Sequence, residues 1–424
     1  MSGRRIVVTG MGLVTPLGCG VQQVWQRLLE GRSGLRLLPP EITEDIPAKV
    51  GALVPDRRDD PVAGLDADRV ASPKEQRRMD RFILLALAAA EEALHSARWR
   101  PEDLRDQERT ATIIASGIGG AESFVDAVRT TDTRGPRRLS PFTVPSFLIN
   151  LAAGQVSIRH RLKGPLGAPS TACAASVQAI GDAARLIRAG EAEVALCGGA
   201  EAAVNRISLA SFAAARSLST GFSAAPERAS RPFDSARDGF VPGEGAGMLV
   251  LEELDHALAR GAQPVVEVVG YGTSADAHHI TAGPEDGSGA RRAMEAALRQ
   301  AGVAASRVQH LNAHATSTPV GDRGELEAIK HVFGTQGRTA VTSTKSATGH
   351  LLGAAGGVEA IFTALAIRDQ MAPATLNLDD PDPASAGVDI VAGRARPVAM
   401  EYAMSNGFGF GGVNASVLFK RWER

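Results

Sequence analysis

Short runs rich in β-branched and small residues, "RIVVTG", "ATIIASG", "EVALCGG", "GMLVLEE", "PVVEVVGYG", "VQHLNAHA", "TAVTSTKS" and "NASVLFK", alternate along this chain with longer helix-like segments. That alternation restricts the chain to an α/β fold with parallel strands, because each crossover between parallel strands needs a helix-sized connection. After "GMLVLEELDHALARGAQP" the same grammar begins again, so the chain reads as two related α/β halves, residues 1–255 and 256–424. No Pro/Ser-rich linker marks the joint, and the halves are expected to pack tightly. The segment from Arg81 to Ala97 is apolar almost all round, which predicts a helix held between layers. The basic stretch leading into it, "KEQRRMDR", is expected at the surface.

Composition narrows the partners. Lys+Arg 46 against Asp+Glu 47 gives a net charge of -1, so no global field draws the chain to nucleic acid or anionic lipid. Cys19, Cys173 and Cys197 are too few and too odd in number for a disulfide framework and suit a reducing cytoplasm. No apolar stretch approaches the ~18 residues of a membrane span, and "MSGRRIVVTGMGLVTPLG" does not read as a targeting segment.

Chemistry concentrates at a few loops. In "STACAAS", Cys173 stands just before Val177, Ile180, Ala184 and Ile187, which recur at helical spacing up to a stop at Gly190. A thiol in a first helical turn faces unpaired N–H groups, so its pKa is expected to fall. A small, apolar-flanked cysteine also suits a core position, and Cys197, inside a strand-like run, is read that way. His314 in "HLNAHATSTPVGD" and His350 after "TSTKSATG" both emerge where a strand meets a loop, the place where open α/β sheets build sites.

Two other patterns carry less. His310 and His314 share a strand face, but a site needs more ligands, Asn312 points to the other face and "DAHH" at 276–279 offers only the adjacent pair His278 and His279, so no metal site is expected. "GFGFGG" at 407–412 matches a dinucleotide fingerprint in form only, since a strand and not a helix follows it. It reads as a glycine-rich turn, or as a loop whose N–H groups approach an oxyanion while Phe408 or Phe410 controls access.

In order along the chain, "VVTGMGLVTPLG", "KEQRRMDRF", "GPRRLSPFTVPSFLINLAAG", "STACAAS", "RPFDSARDGFVPGEGAGMLVLEE", "NAHATSTPVGD", "STKSATGHLLGAAGGVEA" and "NGFGFGGVNAS" resemble the β-ketoacyl-acyl-carrier-protein synthases, most closely the synthase II branch. The likeness runs from end to end. It implies a thiolase-like fold, two α/β halves forming a five-layered αβαβα sandwich, and an acyltransferase that condenses malonyl-acyl carrier protein with an enzyme-bound acyl chain. Carried over residue by residue, it implies a site of Cys173, His314 and His350, a supporting pair Lys345 and Glu359, and an oxyanion donor at Phe410. A glutamate among Val358, Ile361, Phe362 and Leu365 is costly without such a partner. Two histidines and no cysteine in the second half favour decarboxylation over the direct deprotonation of thiolases, which use a second thiol.

The resemblance further implies pantetheine contacts at Thr316 and Thr318 and an acyl pocket at Ile118 and Phe212. It also implies a basic docking rim of Lys74, Arg77, Arg78, Arg137 and Arg138 for acyl- and malonyl-loaded acyl carrier protein. The phosphopantetheine arrives on the carrier, no resident cofactor is implied, and a homodimer is. Thr143 departs from the aromatic residue common there in synthase II relatives and leaves chain-length preference open. Two alternatives share the residues: a type II polyketide or specialised-lipid ketosynthase, and a non-catalytic chain-length partner, against which Cys173 argues.

Overall fold

The computed structural model describes residues 3–336 and 339–423. The first half runs β1 (Ile6–Thr15), α1 (Arg81–Ala97), β2 (Thr110–Ala115), α2 (Leu151–His160), β3 (Leu166–Gly167), α3 (Ala175–Ala189), β4 (Val194–Glu201) and β5 (Gly245–Glu253). The second repeats that order as β6 (Val266–Ala275), α4 (Ser288–Ala301), β7 (Val308–Asn312), α5 (Pro319–Phe333), β8 (Ala340–Thr342), α6 (Ala355–Asp369), β9 (Tyr402–Gly409) and β10 (Val413–Arg421). Pairing repeats as well. In order β3-β2-β4-β5-β1, the strands are joined by two parallel and then two antiparallel pairings, and β8-β7-β9-β10-β6 shows the same sequence of pairings. Among the described residues the half-sheets pair only through β1 and β6, Val7 with Glu267 and Val8 with Val266.

Helices α1 and α2 cover the outer face of the first half-sheet, and α4 and α5 that of the second. Helices α3 and α6 lie between, each touching strands of both halves, which completes five layers. Strand periodicity sorts side chains among the layers. Along β5, Leu249 and Leu251 face the middle core while Met248 and Val250 face α1. The helix buried from every side is α6, apolar from Ala355 to Ile367 except for Glu359 and Thr363. The all-round apolar Arg81–Ala97 segment instead belongs to an outer layer: its second face is covered by α2 and by Ala67 and Val70 of a preceding short helix, Ala67–Val70. Sequence cannot distinguish a helix covered by another sheet from one covered by a helix.

One strand escapes the pattern. "YAMSNGFG" has no β-branched residue and a turn-like end, yet β9 lies inside the second half-sheet with Tyr402 to Gly407 buried. Its backbone is paired on both edges, which no local propensity reports.

Glycine spacing shows how closely the layers approach. A Cβ on Gly10 or Gly12 of β1 would lie 2.2 or 2.0 Å from the carbonyl oxygens of Ala93 and Ala89 on α1. A Cβ on the matching Gly270 or Gly272 of β6 would lie 2.3 or 2.1 Å from those of Ala297 and Ala293 on α4. Both halves thus set a helix backbone directly on a strand. Between the sheets, Gly357 N on α6 donates to Ser176 Oγ on α3 at 2.8 Å, and a Cβ on Gly356 would lie 2.9 Å from Val177 N. The two middle helices therefore begin side by side. Among the described residues no helix is long and apolar enough to cross a membrane.

Gly272→Ala is expected to lower unfolding free energy by about 1–3 kcal/mol through overpacking. Gly154→Ala, whose Cβ meets only Leu151 Cδ1 at 3.6 Å, should leave stability unchanged or raise it by up to ~1 kcal/mol. Denaturant titration of the two variants checks both.

Candidate active site

Each middle helix is entered through the same strained turn. Ala172 has φ 49° and leads through a 3₁₀ turn, Ala172–Ala174, into α3; Leu352 has φ 48° and leads through Leu352–Ala354 into α6. A left-handed conformation costs a non-glycine residue about 1 kcal/mol or more, and here it aims the chain back towards the opposing half. The first turn presents Cys173 and the second is preceded by His350.

The two side chains meet. His350 Nε2 lies 3.0 Å from Cys173 Sγ, and the His314 ring stands edge-on to that of His350 with centroids 5.4 Å apart. His314 follows the end of β7, and its other neighbour is Phe408, centroids 5.5 Å apart. Lys345 and Glu359 form a buried ion pair, Nζ to Oε1 2.5 Å. Burial lifts the Glu359 carboxyl to about 7, with Lys345 opposing. Burial also drives both imidazoles well below the ordinary histidine range, and the Lys345 charge pushes in the same direction, so both rings are neutral near pH 7.

The thiol corrects the expectation drawn from its place at a helix start. Burial raises Cys173 to about 12; Lys345 opposes this, while Glu201 and Glu359 add to it. Loss of hydration outweighs the partial charge of a helix terminus. The resting group is therefore a thiol within hydrogen-bond distance of a neutral imidazole.

A cavity of about 590 Å³ opens onto the pair. Ile118, Phe212, Thr316, Thr318, Phe408 and Phe410 all line it. Phe212 and His350 flank Phe240, which packs edge-on against both at 5.2 and 5.4 Å. Thr316 Oγ1 and Thr318 Oγ1 are 3.1 Å apart. "GFGFGG" is a turn between β9 and β10, as read, and it passes over the nucleophile: a Cβ on Gly409 would lie 3.2 Å from Cys173 N. The Phe410 side chain is exposed. Cys197 is buried in β4, and Cys19, half-buried, has a thiol pushed up to about 12.

Buried carboxylates hold the site's loops, and sequence reasoning assigned them no part. Glu325 accepts from His314 N at 2.9 Å, Ala315 N at 2.6 Å and Asn406 Nδ2 at 3.0 Å. Asp322 accepts from Phe233 N, Ser317 N and Thr318 N, while the Arg237 guanidinium donates to the carbonyls of Thr318 and Pro319. Ser317, between the two threonines, is held at φ 72°. Glu201 does the same for residues 116–119. The available signal was a carboxylate inside or closing an apolar run, as in "VALCGGAE", with no basic neighbour.

The remaining candidates fall outside the cavity. Lys74, Arg77, Arg137 and Arg138 are exposed; Arg78 stacks 4.3 Å over Phe142, which draws the two basic segments together. Within "KEQRRMDR" Asp80 is buried as the cap of α1, a departure from the expected exposure. Thr143 is half-buried at the start of a short helix, Thr143–Phe147. His310 is buried and bonded to Thr342 Oγ1 at 3.0 Å, apart from the exposed His278 and His279. Among the described residues no three His, Cys, Asp or Glu side chains are grouped to hold a metal ion.

Residues 3–257 match the family model of the β-ketoacyl synthase N-terminal domain, and residues 265–379 that of the C-terminal domain. The chain belongs to the β-ketoacyl synthases. It is 53% identical over 420 residues, 99% of each chain, to a protein of Rhizobium meliloti (strain 1021) named 3-oxoacyl-[acyl-carrier-protein] synthase 2. A β-ketoacyl synthase from Burkholderia phymatum STM815 superposes with a TM-score of 0.91 at 35% identity, covering 99% of this chain and 100% of that one. A structure described as a type II PKS acyl-carrier protein in complex with its ketosynthase superposes at 0.90 with 31% identity over 100% of both chains. The fold is thiolase-like and the chain is an acyltransferase-class condensing enzyme.

With the thiol near 12, iodoacetamide alkylation of Cys173, measured against Cys173→Ala as background, should rise about tenfold per pH unit between about pH 7 and 9. A plateau inside that window would contradict the buried, protonated thiol.

Proposed function

We propose that the enzyme condenses malonyl-acyl carrier protein with an acyl chain held on Cys173, giving 3-oxoacyl-acyl carrier protein in fatty acid elongation. The observation that carries this reading is the 3.0 Å contact of Cys173 Sγ with His350 Nε2, with His314 beside it, at one cavity. Sγ attacks the acyl thioester carbonyl as its proton passes to His350 Nε2. N–H groups of Cys173 and Phe410 hold the oxyanion, and collapse expels the carrier thiolate, which leaves as the thiol with one proton of the imidazolium, the neutral ring keeping the other on Nε2. In the malonyl thioester the bond to the carboxylate then breaks, CO2 leaves, and the electron pair remains as an enolate whose oxygen takes hydrogen bonds from His314 and His350. The enolate forms the new C–C bond at the acyl carbonyl, and Cys173 leaves as thiolate and is protonated. One proton is consumed per turn, the chain grows by two carbons, and no resident cofactor enters.

The Lys345 charge disfavours imidazolium at both histidines. This suits a step in which they donate hydrogen bonds without being charged. We assign the carrier-protein site to Lys74, Arg77, Arg78, Arg137 and Arg138, since carrier proteins are acidic and a local basic rim can steer docking at a net charge of -1. Exposed Phe124, Val144, Leu148, Ile158 and Leu166, on neighbouring elements ending at edge strand β3, support a homodimer. Three unpaired thiols support a cytoplasmic location.

Intact-mass analysis after incubation with acyl carrier protein carrying chains of several lengths should show a covalent acyl adduct and report the preferred chain. Cys173→Ala is expected to abolish the adduct yet keep measurable malonyl decarboxylation; equal loss of both would sink the division between thiol and imidazoles. Arg77→Glu with Arg78→Glu should raise apparent KM for carrier protein about three- to tenfold at low salt and less at high salt, and an unchanged KM would remove the basic rim.

A further inference from the structure

Glu201 closes β4 and is completely buried. Its carboxylate takes five hydrogen bonds, all from neutral donors. Oε2 accepts from Gly117 N at 2.7 Å and Gly353 N at 3.0 Å. Oε1 accepts from Ser116 Oγ at 2.9 Å, Ile118 N at 3.2 Å and Gly119 N at 3.3 Å. Gly117 and Ile118 line the cavity that holds Cys173 and belong to the first half; Gly353 lies three residues beyond His350, in the second. The spacing allows nothing else between them. A Cβ on Gly353 would stand 2.2 Å from Gly117 N and 2.7 Å from Glu201 Oε2.

We propose that Glu201 is a positioning residue for chain-length selection: one carboxylate fixes the acyl-pocket loop 116–119 of the first half against Gly353 of the second. Gly117 and Ile118, which line the cavity beside Cys173, are thereby held in place. This inference rests on the reading that Cys173 carries the acyl chain. Four of the five donors to this strut are backbone N–H groups that cannot rotate away, whereas Ile118, the side chain they position, is carried on a loop rich in glycine.

The same carboxylate acts on the nucleophile through space. Of the charged and titratable groups around Cys173, Lys345 lowers its pKa, Glu201 and Glu359 raise it, and His350 and His314 are neutral. Burial raises the Glu201 carboxyl while its hydrogen bonds oppose this; in its ionised form it raises the thiol, so its loss shifts the thiol downward, an effect that packing alone does not produce.

Glu201→Gln keeps the size and leaves an amide donor facing the N–H groups of Gly117 and Gly353. In the full-length enzyme, acylation rates from carrier protein loaded with short and long chains are expected to converge, the long-to-short ratio changing about fivefold or more. The alkylation profile of Cys173 should move to lower pH. A folded Glu201→Gln enzyme with the wild-type ratio overturns the proposal. If that variant does not fold, Ser116→Ala decides, because it removes one donor and leaves the four backbone bonds. A ratio moved about twofold in the same direction supports the strut, and an unmoved ratio overturns it. Should the wild-type enzyme itself take no acyl group, the proposed function fails first, which separates the two failures.

Discussion

The site depends on two helices beginning side by side between two sheets. Ser176 Oγ and Gly357 N join their first turns across the interface of the halves. The approach is possible only because Gly356 and Gly357 leave no side chain between α6 and its neighbours, Val177 on one side and Gly247 on the other. Given that contact, the strained turns at Ala172 and Leu352 deliver Cys173 and His350 to the same point from opposite directions. Neither half contains a catalytic pair by itself.

Burial then decides the protonation states. Loss of hydration at the floor of the cavity holds the thiol protonated and the imidazoles neutral. One buried cation, Lys345, biases all three groups, while Glu359 keeps it paired. In the proposed reaction such a site moves a proton as bond formation uses it, and charge need not be stored beforehand.

Much of this was legible in the chain. The repeated strand-helix grammar gives the two halves, because a sheet covered on both faces forces continuous apolar runs, although the sheet is mixed and not parallel throughout. Cys173, His314 and His350 are visible as reactive side chains at loop positions. What sequence hides is whatever depends on a neighbour far along the chain. β9 has weak strand propensity and is held by pairing on both edges. The Arg81–Ala97 helix shows its apolar surface but not what covers it. The helix-start argument for Cys173 is sound locally and loses to burial, which no local window reports. Glu201, Glu325 and Asp322 read as ordinary carboxylates because their partners are backbone N–H groups, which have no letter in a sequence.

The matched turns at Ala172 and Leu352 carry one more consequence. In the second, Gly353 occupies the place that Cys173 holds in the first, and its missing Cβ is the room taken by Gly117. Twin scaffolds have thus been broken into unlike members: any side chain at the second elbow collides with the lining of the first. A symmetric framework bearing two sulfurs at these elbows is closed to this chain by volume alone, and the division of labour between one attacking atom and a pair of rings is written into its backbone.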